Sequence, residues 1–403
     1  MSGLQLPNEL ISIIIDYLHD DKPTLKICAL ICRDWIAPSR SHLLRSIRVY
    51  QYGVDKFILL CDNPFSTIHY VRAFELAASQ KHEKEFYNNT ALRKLLTWRS
   101  PDGQRTIATA LPQLKSLSLC HIGFWILSDE AKEGFAGFRS LRELSMLNVI
   151  FESRDQLSAL LSLLPQLEIL SLTDIQVYHT RGRHSAVALL SKLHTIKMKT
   201  TRHMHRGIVD VFTPCRSLRV FHLHVRSFSG SSFACGDEVG RLLASAGPSL
   251  KEFSAHAQSL LWSDGDVDDT SIRFQPIDLT QNTCLQRISL DIRDGHIPFL
   301  RQLADATRLS PSFTPTLQSL EIKYLPQLTI NWGAFDHLLQ LPYFAELSEL
   351  KYYIHVSPTE RGMMDADEKA GDGTVRREAE VFAARLPRCK ARGILCPVES
   401  TSG

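Results

Sequence analysis

A short phrase of the form Leu-x-x-apolar-x-apolar recurs along most of this 403-residue chain and limits what the chain can fold into. Its alternation of apolar and polar positions has the period of two that is typical of a β-strand. Two weaker phrases, which begin at Leu44 and Ile68, extend the series towards the N-terminus. The main copies begin at Leu92, Leu114, Leu141, Leu167, Leu193, Leu218, Leu250, Leu285, Leu317 and Leu347.

Segments with helical spacing lie between the strand phrases. The clearest begins with Ser153 and Gln156, which have the spacing of a capping box, and continues with apolar residues over 157–164. Others cover 237–243, 299–303 and 335–339. A strand and a helix in each repeat is the leucine-rich-repeat pattern, in which a unit buries its apolar face only against its neighbours.

The sequence therefore predicts an α/β fold: an irregular leucine-rich-repeat solenoid over residues 46–356, with a parallel concave sheet and helices on the convex side. An ordinary α/β domain is the alternative, but its strands would be nearly continuous apolar runs without a repeat. The standard repeat places Asn or Cys eight residues after its first Leu. Here Ile122, Val149 and Ile175 occupy that position, and Asn148 and Asp174 come one residue early. We therefore expect irregular turns.

Alternate side chains of each predicted strand point away from the core and form a candidate surface for binding a target protein. Each of these residues taken alone is more simply a solvated strand residue, so the prediction concerns the surface as a whole. The candidates are Ser116, Ser118, Ser145, Ser171, His222, His224 and Ser289.

The first 45 residues predict three helices. Pro7 suits a first helical position, and apolar residues then recur at helical spacing from Leu10 to Leu18. Asp21 can cap a second helix, and Trp35 with Leu43 supplies a third apolar element. Three helices of this length bury little surface, so a partner is expected.

This N-terminal segment resembles an F-box. The match combines Leu6-Pro7, Glu9-Leu10, Ile14-Ile15, the run Cys-Ala-Leu-Ile-Cys-Arg-Asp-Trp over 28–35 and the basic exit at 40–45. The layout is most similar to F-box proteins of mushroom-forming fungi, which have a leucine-patterned region and a closing strand like that at 391–395.

The resemblance implies docking onto the adaptor subunit of a cullin-type (SCF) ubiquitin ligase and, through it, onto cullin. The residues expected to face the adaptor are Leu6, Pro7, Leu10, Ile14 and Ile31. Trp35 is expected to attach the helices to the repeats. The alternative is that the three helices only cap the open end of the repeats.

The predicted domains are an F-box over 1–45, the solenoid over 46–356, a flexible acidic loop over 357–373, and a helix with a capping strand over 374–403. The net charge of +3 is too small to favour nucleic acid. No apolar run reaches the length of a membrane span or a secretory leader. The nine scattered cysteines fit a reducing compartment, so we expect the cytosol or the nucleus.

Several fragments imitate catalytic or metal sites without completing them. The acidic stretch at 264–269 lacks the Gly and Glu of a calcium loop, 230–234 falls short of a nucleophile elbow, and His203 with His205 has no third ligand. No catalytic residue, metal or cofactor is predicted. We therefore expect a non-enzymatic substrate receptor that binds a ligase adaptor and a protein target; the alternative is a ligase-independent interaction scaffold.

Overall fold

The computed structural model describes residues 7–63, 66–77, 89–179, 190–200, 207–225, 236–257, 277–292, 296–309, 314–324, 330–354 and 379–399. The chain divides into two compact units, Met1–Lys192 and Leu193–Gly403, which we call the N-terminal and the C-terminal unit.

Short parallel strands and intervening helices make up both units. The α-helices are α1 (Asn8–Tyr17), α2 (Lys22–Ile31), α3 (Arg33–Leu43), α4 (Val54–Asp62), α5 (Thr90–Leu96), α6 (Ile107–Ala110), α7 (Asp129–Glu133), α8 (Arg154–Ser162), α9 (Gly236–Ala246), α10 (His296–Leu309) and α11 (Trp332–Leu338), followed by helical residues over 379–385 and the helix Pro387–Ala391. Single 3₁₀ turns lie at Gln51–Gly53, Ile68–Tyr70, Phe124–Ile126, Gly134–Gly137, Val209–Phe212, Gly247–Ser249 and Pro342–Phe344.

All the described strands except β5, β7 and β14 begin two residues after the leading apolar residue of a repeat. In the N-terminal unit they are β1 (Ser46–Tyr50), β2 (Ala73–Ala77), β3 (Ser116–Cys120), β4 (Glu143–Leu147), β5 (Ile150–Ser153), β6 (Ile169–Thr173) and β7 (Gln176–His179). In the C-terminal unit they are β8 (Thr195–Thr200), β9 (Val220–Val225), β10 (Glu252–Ala257), β11 (Arg287–Ile292), β12 (Ser319–Tyr324), β13 (Glu349–Ile354) and β14 (Leu395–Glu399).

The strands pair in parallel, one after another. In the N-terminal unit the order is β1-β2-β3-β4-β6, with β5 and β7 in a separate two-stranded sheet; in the C-terminal unit the order is β8 to β14. The register aligns equivalent positions of successive repeats, so that Leu117, Leu144 and Leu170 form one buried row. The predicted α/β leucine-rich-repeat fold class, with its parallel sheet and intervening helices, is confirmed.

Two predicted strand phrases are wrong. Leu92 lies in α5, where Leu92, Leu95 and Leu96 are all buried on the helix. The phrase at Ile68 begins three residues early, because Ile68 lies in a 3₁₀ turn and the fully buried Val71 takes the leading position before β2. Both errors come from apolar spacing that fits a strand and a helix equally well over a few residues.

The capping box expected at α8 is also absent. The helix begins as predicted, but the side chain of Ser153 accepts no hydrogen bond from the first turn. Gln156 instead accepts a hydrogen bond from the backbone N–H of Glu152 at 3.0 Å and donates one to its carboxylate at 3.1 Å. The glutamine therefore fixes the end of β5 instead of the helix N-terminus.

Residues with positive φ end three successive strands of the N-terminal unit. His121, Asn148 and Asp174 directly follow β3, β4 and β6 and have φ of 56°, 51° and 51°. The backbone N–H of Asn148 still donates to Thr173 O at 2.8 Å, so the ladder continues through the turn. Asn, Asp and His are enriched among the non-glycine residues that adopt this conformation, which explains why the polar residue comes one place early.

The C-terminal end of the chain is held by side chains that bind backbone. The buried carboxylate of Asp336 accepts hydrogen bonds from the N–H groups of Arg388 and Cys389, each at 3.0 Å. Arg392 donates to the carbonyls of Leu339 at 2.7 Å and Phe344 at 2.9 Å. The last strand is β14 (Leu395–Glu399), which begins where the strand predicted at 391–395 was expected to end, because Ala391 still belongs to a helix. Pro397 suits an edge strand because it has no N–H to leave unpaired. The loop predicted over 357–373 lies outside the described residues.

We predict that Arg392→Ala lowers the free energy of unfolding by about 1.5–3 kcal/mol, since hydrogen bonds from a charged donor to these carbonyls are lost. Urea denaturation followed by circular dichroism measures the change. Arg388→Ala is the matched control, because that side chain is exposed and lies four residues earlier in the same segment. Equal midpoints for the two variants would contradict the assigned role.

Candidate functional site

The three N-terminal helices enclose a small core of their own. It contains Ile11 and Ile15 of α1 with Leu25 and Cys28 of α2, each at most 4% exposed. Trp35 packs against this cluster. Trp35 therefore contributes to the core of the three helices, and its expected attachment of these helices to the repeats stays a prediction.

Polar contacts fix the ends of these helices. The Asp21 carboxylate accepts hydrogen bonds from the Thr24 N–H at 3.1 Å and the Thr24 hydroxyl at 2.6 Å, which caps α2 as predicted. These bonds hold the pKa of Asp21 below its usual value. His42 of α3 contacts the Asp16 carboxylate at 2.7 Å and so connects α3 to α1.

The first helix carries two apolar stripes, and only one of them is buried by the described residues. Ile11, Ile15 and Leu18 lie at successive helical positions towards the core. Leu10, Ile13, Ile14 and Tyr17 have the spacing i, i+3, i+4, i+7 and are between 38% and 84% exposed. A helix that is apolar on both sides is normally covered on both sides.

The second helix repeats this arrangement on a smaller scale. Ile27, Leu30 and Ile31 are 63%, 86% and 59% exposed and have the spacing i, i+3, i+4. Clustered large apolar side chains in water indicate an interaction surface, whereas single ones do not. We call these seven exposed residues of α1 and α2 the apolar patch.

The structure places the predicted adaptor-facing residues as follows. Leu10, Ile14 and Ile31 belong to the apolar patch, and Pro7 is exposed directly before α1. Leu6 lies outside the described residues. Ile13, Tyr17, Ile27 and Leu30 were missed, although their helical spacing from Leu10 and Ile31 was visible in the sequence.

The side of each main sheet opposite the buried rows, which we call the open face, is polar. In the N-terminal unit the register brings Ser118, Ser145 and Ser171 side by side on β3, β4 and β6. Ser116 lies on the adjacent row, opposite Glu143. All four serines are half-buried, so they form a shallow surface of small side chains.

The open face of the C-terminal unit is more strongly charged. His222 contacts the Glu252 carboxylate at 2.8 Å, and Arg287 contacts its other oxygen at 3.0 Å. Ser289 is only 7% exposed and lies 3.3 Å from a ring nitrogen of His256. The rings of His224 and His256 are 5.8 Å apart.

Glu252, His256 and Arg287 were missed as candidates. The phrase that begins at Leu250 places Glu252 and His256 at the positions that Val220 and His224 hold in the preceding phrase, and the register confirms the equivalence. Alignment of the repeats by strand position would therefore have found them. Selection by residue type alone did not.

The described residues offer little for catalysis. Burial raises the pKa of Cys61 and of Cys389 to about 12, so both thiols stay protonated at neutral pH. In the described ranges no three His, Cys, Asp or Glu side chains come close enough to hold a metal ion. Nor does any described helix have the length and apolar character to cross a membrane. The motif fragments at 203–205, 230–234 and 264–269 lie outside these ranges.

Comparison with known proteins identifies the repeats. Residues 87–201 match the family model described as "FBD-associated F-box protein At5g56370, LRR repeats". The match covers less than a third of the chain and therefore concerns the repeats alone. Residues 87–201 are thus similar to the leucine-rich repeats of that F-box-associated family. No curated protein was found to be similar to the chain.

Three solved structures are similar to the chain at low identity. The leucine-rich repeat-containing protein LegL7 from Legionella pneumophila is 12% identical, with 88% of this chain and 91% of that chain covered and a TM-score of 0.39. The complex of Rad7 and Elc1 in yeast is 14% identical, with 85% of this chain and 75% of that chain covered and a TM-score of 0.33. The Leptospira interrogans LRR protein LIC12759 is 15% identical, with 86% of this chain and 94% of that chain covered and a TM-score of 0.27. Values this low carry no conclusion about function.

The buried core of the three helices and the apolar patch predict different responses to substitution. Ile15→Ala should remove about 2–5 kcal/mol from the stability of the three helices, because Ile15 is fully buried. Leu30→Ala should change stability by less than about 0.5 kcal/mol, because Leu30 is 86% exposed. Amide hydrogen exchange over α1–α3 measures both. Comparable loss of protection in the two variants would show that the apolar patch is part of an internal core.

Proposed function

We propose that this protein is the substrate-recognition subunit of an SCF-type ubiquitin ligase. In this proposal the apolar patch binds the adaptor subunit, and the open faces of the repeats bind a target protein. The observation that carries the proposal is the second apolar stripe of α1, which lies next to a complete core and has nothing to cover it among the described residues.

Three independent features support this function. The sequence of the first 45 residues resembles an F-box. Residues 87–201 match a family model of F-box-associated repeats. The three helices satisfy their own core with Ile11, Ile15, Leu25 and Cys28, so their remaining apolar surface is available to a partner.

The chain itself contributes proximity in this function. A target held on the repeats and a ubiquitin-charged enzyme held through cullin would form one complex, so the transfer step becomes effectively intramolecular. Bond formation belongs to the other subunits, and we assign this chain no catalytic residue. The cytosol or the nucleus, where these ligases work, is the proposed location.

The outward position of the patch residues predicts a selective loss of adaptor binding. Leu10→Asp combined with Ile14→Asp should weaken binding of the purified chain to an SCF adaptor by at least about 30-fold, the effect of losing about 2 kcal/mol at a central apolar contact. Pull-down and isothermal titration calorimetry measure the loss. The helical content should stay unchanged, because both side chains point away from the core.

Leu59→Asp combined with Leu60→Asp provides a matched control. These leucines of α4 are 69% and 51% exposed and lie outside the three N-terminal helices. The control should bind the adaptor as the unmodified chain does. If the unmodified, folded chain fails to bind any SCF adaptor, the receptor function is wrong and the ligase-independent scaffold is favoured.

A further inference from the structure

The open face of the C-terminal unit carries lysines and histidines on its first three strands. Lys197 and Lys199 are exposed on β8, His222 and His224 are half-buried on β9, and His256 is half-buried on β10. The register places Lys197 beside His222, Lys199 beside His224, and His224 beside His256. Adjacent strands lie about 4.8 Å apart, so these groups form one continuous surface.

Two further cations stand at the edge where these strands begin. Arg219 directly precedes β9, Lys251 directly precedes β10, and both side chains are exposed. They line a groove of about 520 Å³ together with residues at the starts of β11, β12 and β13. Arg219 and Lys251 therefore bring positive charge to a groove that adjoins the starts of these strands.

The carboxylates near this groove are already paired. Glu252 contacts His222 and Arg287 at 2.8 and 3.0 Å, and Glu349 contacts Lys351 at 3.0 Å. Among the residues that the structure describes, by contrast, no ion pair is formed by the four permanent cations of the surface. We call these four the cationic strip: Lys197, Lys199, Arg219 and Lys251.

We infer that the cationic strip binds an acidic segment of a protein, rich in Asp and Glu, in an extended conformation. The inference rests on the proposed function, because it assigns a chemical class to the target that the repeats hold. An extended segment advances about 3.3 Å per residue, the same rise as a strand, so a segment that runs along β8 can place alternate carboxylates beside Lys197 and Lys199. Groups of opposite charge across such an interface supply its specificity and its association rate.

The chemistry of the face favours a peptide over a nucleic acid. Open-face positions of β8, β9 and β10 hold no Phe, Tyr or Trp on which bases could stack. The groove also contains Glu252 and Glu349, which disfavour a continuous chain of phosphates. The four cations of the cationic strip match a peptide that carries a few carboxylates at separate positions.

Fluorescence anisotropy with the full chain tests the inference. The probe is a labelled peptide of alternating Glu and Ser, compared with a peptide of equal length in which Gln replaces Glu. Only the acidic peptide should bind, and its affinity should fall as NaCl is raised from about 50 to about 300 mM. Equal binding of the two peptides, or tighter binding of a single-stranded oligonucleotide of the same charge, would overturn the inference.

A pair of variants locates the binding surface. Lys197→Gln combined with Lys199→Gln should weaken binding of the acidic peptide by about tenfold, the effect of losing two surface ion pairs of about 0.7 kcal/mol each. Lys56→Gln combined with Lys115→Gln makes the same change in net charge in the N-terminal unit, where Lys115 precedes β3 as Lys251 precedes β10. This control should stay within about twofold of the unmodified chain, and an equal loss would reduce the effect to net charge and overturn the inference.

Adaptor binding is measured on the same preparations to separate the two proposals. Acidic-peptide binding that depends on the lysines of β8, in a chain that no adaptor binds, would support the cationic strip and reject the ligase function. Adaptor binding without selective peptide binding would reject the cationic strip alone.

Discussion

A parallel strand of five or six residues cannot be stable by itself, because its backbone groups need a neighbour on each side and its apolar side chains need a shared core. This constraint explains the repeated phrase. Each copy supplies a leading residue and two buried strand residues, such as Leu141, Leu144 and Met146, all fully buried. The positions between them face outward and are free to vary, so the fold fixes half of each strand and leaves the other half to recognition.

Apolar periodicity was sufficient to predict most of this architecture. The main-sheet strands from β3 to β13, without β5 and β7, and helices such as α9 and α11 follow directly from the spacing of apolar residues. It failed where the spacing fits two structures, as at Leu92. The small sheet of β5 and β7 was missed because its strands follow the left-handed residues Asn148 and Asp174 after a single buried residue, and a change of direction in the backbone leaves no periodic signal.

The first helix shows a different limit of sequence reasoning. Leu10, Ile11, Ile14 and Ile15 look like one apolar stripe in the sequence, yet the structure buries Ile11 and Ile15 and leaves Leu10 and Ile14 exposed. Adjacent residues on a helix differ by about 100° in direction, so a wide stripe can serve two surfaces. Which half faces inward depends on the positions of Leu25, Cys28 and Trp35 from α2 and α3. Those positions are set by tertiary packing, which the spacing within α1 does not encode.

The open faces of the two units differ in charge, although both units bury similar rows of apolar side chains. The row Ser118, Ser145 and Ser171 offers small neutral groups, whereas Lys197 of β8 and His222 of β9 hold the equivalent strand positions in the C-terminal unit. Substitutions at these positions cost little stability, because the side chains contribute little to the core. Charge could therefore accumulate on one part of the repeats without altering the fold. The chemistry that such a scaffold can bind is therefore predicted from side chains that lie side by side on neighbouring strands. These side chains come from separate repeats, so no single repeat shows the binding surface.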